Sequence, residues 1–151
     1  MKFLSYDIVF QEIPDEVTLA INISNCPNCC EDCHSPHLRE NTGEELTENV
    51  ISGLLEKYGN AVTCVCFMGG DCSPEEVLKL AYFVRKLPKY KTAWYSGSSK
   101  FYGDAQQYFD YIKLGAYIKE LGGLNSPATN QRLYRIENKE MIDITKQFYK
   151  H

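Results

Sequence analysis

Residues 62–76 read without a break as a buried strand, a glycine turn and a capped helix. No other stretch so narrows the folds open to the chain. Val62-Thr63-Cys64-Val65-Cys66-Phe67-Met68 is apolar throughout except at Thr63. A strand with water on one side alternates polar and apolar residues, whereas one that is apolar along its length is buried on both faces, as inside a parallel sheet. Gly69-Gly70 bound the run, and Ser73-Pro74-Glu75-Glu76 then has the features of a helix start. Ser73 takes the N-cap, Pro74 sits in the first turn where a missing N–H costs nothing, and Glu76 is spaced to close a capping box. Val77, Leu80, Ala81 and Val84 give this helix one apolar face, and Pro88 ends it. A strand leading straight into a helix is half of a βαβ unit, which makes the fold class α/β.

The rest of the chain agrees. Tyr6–Phe10 and Val17–Ser24 read as strands separated by the turn signal Pro14-Asp15. Thr47 is placed to cap a helix carrying Val50, Ile51, Leu54, Leu55 and Tyr58 on one side, with Gly59 as its stop. Thr92–Ser96 and Tyr111–Leu114 read as further strands, each followed by glycine, and Leu133–Glu137 with Met141–Thr145 as a hairpin around Asn138-Lys139. The expectation is a single α/β domain over residues 1–151, with flanking helices on a mostly parallel sheet of about five or six strands. Right-handed crossovers gather the loops that follow parallel strands at one end, so the sheet's carboxyl edge is the predicted site.

Sixteen Lys and Arg against twenty Asp and Glu give a net charge of −4, which disfavours non-specific nucleic-acid binding, since that needs a basic face. A hydrophobic share of 44% supplies a core and excludes disorder. No apolar run approaches the roughly 18 residues of a membrane helix. The first seven residues, Met1 to Asp7, carry an acid and no signal-peptide core. These features predict a cytoplasmic location and no membrane partner.

Seven cysteines is an odd count, which argues for reduced thiols rather than a disulfide framework. Four of them, Cys26, Cys29, Cys30 and Cys33, fall within eight positions directly after the second strand. Two three-cysteine registers exist: Cys26-x3-Cys30-x2-Cys33, leaving Cys29 spare, and Cys26-x2-Cys29-x3-Cys33, leaving Cys30 spare. Three thiolates on one short loop hold three irons of a cubane and leave the fourth open to another ligand. A closed zinc site wants four ligands, usually in two separated pairs. His34 and His37 are close by, but no second pair stands at finger-like spacing. Spacing alone leaves an iron–sulfur cluster, a zinc ion and unligated thiols all open. Cys64 and Cys66, two apart on the buried strand, point to one face as core thiols, and Cys72 reads as a structural thiol after the glycine turn.

Cys26-x3-Cys30-x2-Cys33 after an early strand resembles the cluster motif of radical S-adenosylmethionine (SAM) enzymes. It looks most like their shortest members, the activating proteins of anaerobic ribonucleoside-triphosphate reductase. Phe67-Met68-Gly69-Gly70-Asp71 is similar to that family's glycine-glycine-acid segment, and Ala93-Trp94-Tyr95-Ser96-Gly97 to its aromatic strand ending in a small hydroxyl residue and glycine. Asp110 to Gly115, and Asn125-Ser126 through Asn130-Gln131-Arg132, are similar to its C-terminal part, so the likeness spans almost the whole chain. It implies a small partial (βα) barrel of the radical SAM type. It also implies one [4Fe–4S] cluster on Cys26, Cys30 and Cys33, with Cys29 a bystander and SAM at the open iron. The chemistry would be carried by these cofactors rather than by a catalytic side chain.

For SAM, the resemblance implies contacts from the carbonyls of Gly69 and Gly70, a complementary charge on Asp71, and ribose or carboxylate contacts from Ser96 and Gly97. Asp32 and His34, flanking Cys33 where the family carries an aromatic residue, would stand beside the adenine. The implied activity is reductive cleavage of SAM to a 5′-deoxyadenosyl radical that installs the glycyl radical of the reductase. The implied partners are that glycyl-radical subunit and a small electron donor such as flavodoxin or ferredoxin. Activation of another glycyl-radical enzyme, and a non-catalytic zinc-binding interaction module, are the alternatives. Lys113 reads either as a cation for a cofactor carboxylate or as a solvated strand end, and Asn130-Gln131-Arg132 either as a contact or as a loop cap.

Overall fold

The computed structural model describes residues 1–10, 12–24, 44–71, 73–87, 89–98, 103, 105–116, 118, 120–124, 126, 128–138 and 140–146. Its elements are β1 (Lys2–Val9), β2 (Thr18–Ile23), β3 (Glu44–Glu45), α1 (Glu48–Tyr58), β4 (Cys64–Met68), α2 (Pro74–Arg85), β5 (Lys91–Tyr95), β6 (Tyr111–Leu114), β7 (Arg132–Glu137) and β8 (Glu140–Asp143). A 3-10 turn, Ala105–Gln107, precedes β6.

The strands form one sheet in the order β3-β1-β2-β4-β5-β6-β7-β8. The pairs β2–β4, β4–β5 and β5–β6 are parallel, as expected of strands joined through helices or a long crossover. The sheet is nonetheless mixed and has eight strands among the described residues, where five or six were expected, because β1 and β3 extend one edge and β7 and β8 the other, all antiparallel. The two-residue β3 has no apolar signal; it is recruited by pairing Lys2 with Glu45 and Phe3 with Glu44. The β7–β8 hairpin turns at Asn138, whose φ of 51° lies in the left-handed region that asparagine tolerates.

Helix starts follow backbone geometry rather than motif alone. Thr47 has extended dihedrals (φ −127°, ψ 168°), and its hydroxyl accepts from the Val50 amide at 3.2 Å. Ser73 (φ −140°, ψ 61°) makes no such side-chain cap bond. Its carbonyl instead accepts from the Glu76 and Val77 amides at 3.1 and 3.2 Å. The expected capping box does not form: Glu76 faces the Met1 α-amino group, 2.8 Å away.

Alternation along the strands divides the core in two. One face carries Leu19, Ile21, Ile23, Val65, Phe67, Trp94 and Ile112, packed under Ile51, Leu54 and Leu55 of α1 and the Val77, Leu80, Ala81 and Val84 stripe of α2. The other carries Cys64, Cys66, Ala93 and Tyr111, closed by Ile13, Leu133 and Ile144. The parallel registers Asn22 to Met68, Met68 to Tyr95 and Tyr95 to Lys113 bring the ends of β2, β4, β5 and β6 to a single edge.

Candidate functional site at the carboxyl edge of the sheet

The turn after β4 needs glycine before any ligand is considered. Gly69 and Gly70 have φ of 105° and 89°, which residues with a Cβ rarely adopt. A Cβ on Gly70 would also stand 2.5 Å from Val77 Cγ2, because the turn lies against α2. The Gly69 amide donates to Tyr95 O (3.0 Å), and its carbonyl accepts from Trp94 Nε1 (2.7 Å), tying the turn to β5. The Gly70 carbonyl accepts from the Ser73 amide at 3.0 Å. Among the described residues each carbonyl accepts one hydrogen bond, and a carbonyl oxygen has two lone pairs.

Asp71, Ser96 and Gly97, predicted from separate segments, come together. The Ser96 hydroxyl donates to Asp71 Oδ1, and the Gly97 amide donates to Asp71 Oδ2 at 3.0 Å. Ser96 is itself fixed: its amide continues the sheet to Lys113 O (2.9 Å), and its Oγ accepts from the Ser98 amide (3.1 Å). Only 2% of Ser96 is exposed. Beside this group opens a cleft of about 640 Å³, lined among others by Asp71, Gly97, Gly115, Asn130, Arg132 and Tyr134.

Lys113 is neither solvated nor at the rim. It is buried on the face opposite the helices, with Nζ donating to Gly115 O at 3.0 Å and lying 5.3 Å from the centre of the Tyr95 ring. Two members of the Asn130-Gln131-Arg132 motif cap the turn after β6: Asn130 Nδ2 donates to Ala116 O (3.0 Å) and Gln131 Nε2 to Gly115 O (3.2 Å). That close approach leaves no room for a Cβ at Gly115, which would meet Gln131 Cα at 3.1 Å. Arg132 lines the cleft, 3.8 Å from Asp143. Tyr134 was not expected here; period-2 alternation from Arg132 is the signal that places it on the same side.

Cys26, Cys29, Cys30, Asp32, Cys33, His34, His37 and Cys72 lie outside the described residues. Among the described residues, no three His, Cys, Asp or Glu side chains gather as a metal site. Cys64 and Cys66 are fully buried, and desolvation pushes both thiols well above their usual range, so neither is a thiolate ready to ligate iron. The other five cysteines lie outside the described residues; β2 itself ends at Ile23, on the same edge as Gly69 and Ser96.

A family model for 4Fe-4S single cluster domains matches residues 17–118, a span holding those cysteines together with β2 through β6. The protein is an iron–sulfur protein that binds a 4Fe-4S cluster. The chain belongs to the 4Fe-4S single cluster domain family. No curated protein and no solved structure matches it. Among the described residues no helix is long and apolar enough to cross a membrane.

Proposed function

We propose that the protein is a radical SAM activase that installs the glycyl radical of an anaerobic ribonucleoside-triphosphate reductase. The observation that carries this reading is the meeting at one sheet edge of three parts. These are the end of β2 that opens the cysteine segment, the Gly69-Gly70 turn, and Asp71 tied to Ser96 and Gly97 beside a cleft. In this reading β2, β4, β5 and β6, with α1 and α2 on one face, correspond to the partial barrel on which such chemistry is built.

Cys26, Cys30 and Cys33 would hold the cluster, with Cys29 left over. Held there and reduced by the electron donor, a cluster would supply the one electron for reductive cleavage of SAM to methionine and a 5′-deoxyadenosyl radical, which would take hydrogen from a glycine of the partner. The chain's own residues bind and orient. Asp71 presents a carboxylate at the cleft to the ammonium of SAM, and the second lone pairs of the Gly69 and Gly70 carbonyls accept from the same group. Gly97 offers backbone to the nucleoside in the cleft, and Asp32 and His34 flank the adenine. A small electron donor, flavodoxin or ferredoxin, and the glycine-bearing reductase are the partners this requires.

The test is anaerobic. Purified without oxygen, the protein is expected to be brown, with about four irons per chain. Once reduced it should release 5′-deoxyadenosine from SAM and, mixed with the reductase, produce a glycyl-radical signal in paramagnetic resonance. Cys26→Ala, Cys30→Ala and Cys33→Ala should each lose the iron, while Cys29→Ala keeps it. Reduced, iron-loaded protein that releases no 5′-deoxyadenosine would sink the reading. Iron kept by Cys30→Ala and lost by Cys29→Ala would move the ligand set to the other register.

A further inference from the structure

We infer that Ser96 is a positioning residue that acts through Asp71 and does not itself touch the cofactor. The inference rests on the reading just given and departs from the ribose or carboxylate contact that the sequence assigns to Ser96. Two observations carry it. Ser96 is 2% exposed and does not line the cleft, whereas Asp71 and Gly97 do. The hydroxyl is also already engaged: its proton goes to Asp71 Oδ1, and its oxygen accepts the Ser98 amide at 3.1 Å. A hydroxyl has one proton to give, and this one is given to a carboxylate.

What the arrangement achieves is aim. The carboxylate of Asp71 is gripped at both oxygens, by Ser96 Oγ at one and by the Gly97 amide (3.0 Å) at the other. Both grips come from β5's end, which is anchored by the Ser96 amide to Lys113 O (2.9 Å) and by the Gly69 amide to Tyr95 O (3.0 Å). Asp71 follows two glycines with positive φ, a backbone with many alternatives in the absence of restraint. Hydrogen bonds to a charged acceptor are the strong ones, so a serine and an amide from the neighbouring strand fix the acid's orientation at the rim of the cleft. Asp71 after β4 is thereby tied to the end of β5 beside the cleft.

Kinetics of the cluster-loaded protein test this. Ser96→Ala should raise KM for SAM about tenfold, the size of one lost charged hydrogen bond of about 1.4 kcal/mol, with kcat within about twofold. Iron content should not change, and Ser96→Thr, which keeps the hydroxyl, should restore KM. In an Asp71→Asn background, Ser96→Ala should add little, because the charged carboxylate that Ser96 aims is already gone. A crystal structure of Ser96→Ala should show the Asp71 carboxylate turned from its place, a readout independent of turnover. A KM unchanged by Ser96→Ala, or an equal penalty in the wild-type and Asp71→Asn backgrounds, overturns the inference. Should Ser96→Ala not fold, Ser96→Cys, which keeps the size of the side chain but donates only weakly, takes its place in both backgrounds with the same expected and overturning results. A wild-type protein that releases no 5′-deoxyadenosine fails the proposed function itself. An active wild type with an indifferent Ser96 fails only this inference.

Discussion

Cys64 and Cys66 look, by residue type, like further cluster ligands, and burial decides otherwise. Both lie on the sheet face turned away from the helices, among Ala93, Tyr111, Leu133 and Ile144, and Cys66 Sγ is 3.5 Å from Met68 Sδ. Desolvation disfavours the charged thiolate, so the folded thiols hold their protons far beyond the range of an exposed cysteine. The consequence for stability has a definite sign. An unfolded cysteine releases its proton near pH 8.5, and above that the unfolded chain binds fewer protons than the folded one. Stability is therefore intact below about pH 8.5 and falls as pH rises past it, by at most about 1.4 kcal/mol per pH unit for each thiol. Tyr95, also raised by burial, joins only above its own unfolded value of about 10. Urea midpoints measured from pH 7 to 10 should fall above 8.5, and Cys66→Ala should flatten the decline whatever it does to the midpoint at pH 7. An equal slope in both proteins would mean that Cys66 is reached by water.

Among the elements, those that carry their own burial are legible in the sequence, and those that are recruited are not. β4 could be read because a strand covered on both faces must be apolar throughout, and β6 because Tyr111 to Leu114 is bounded by glycine. β3 is exposed along its whole length, so no pattern announces it and pairing with β1 makes it a strand; β8, equally exposed, is legible only as the second arm of a hairpin around Asn138-Lys139. At the candidate site, Asp71 and Ser96 could be named from the family resemblance, each just after a strand. Their bond could not, because 25 residues separate them and only the register of β4 on β5 brings them together. Helix starts show the same limit: Ser73 has the better motif, yet Thr47 has the extended backbone that turns a hydroxyl over the first amides. Thr47→Ala should accordingly cost about 1 kcal/mol, read as a lower urea midpoint with an unchanged m-value. No loss would show that the 3.2 Å bond to the Val50 amide contributes nothing in solution.

For the molecule as a whole, the sheet extends past the segment that defines the family. Residues 17–118 contain β2 to β6, while β1, β7 and β8 fall outside. The excluded strands are part of the core. Leu133, fully buried, and Ile144 close the thiol-bearing face, and β7 supplies the antiparallel partner of β6. β1 brings Phe3 into the helix-covered core and satisfies one side of β2. Cutting the chain to 17–118 would leave β2 and β6 as open edges and uncover Cys66, Ala93 and Tyr111, each now in a dry cluster. Unpaired edges and exposed apolar surface favour association over a unique fold, and a domain's net stability is only about 5–15 kcal/mol. The truncated chain should therefore show no cooperative thermal transition and should aggregate, whereas the full chain melts in one step. A cooperative melt of 17–118 would show that the antiparallel margins are ornamental. Its failure would mean that these strands, which carry none of the proposed ligands, hold together the sheet whose carboxyl edge brings Asp71 to Ser96.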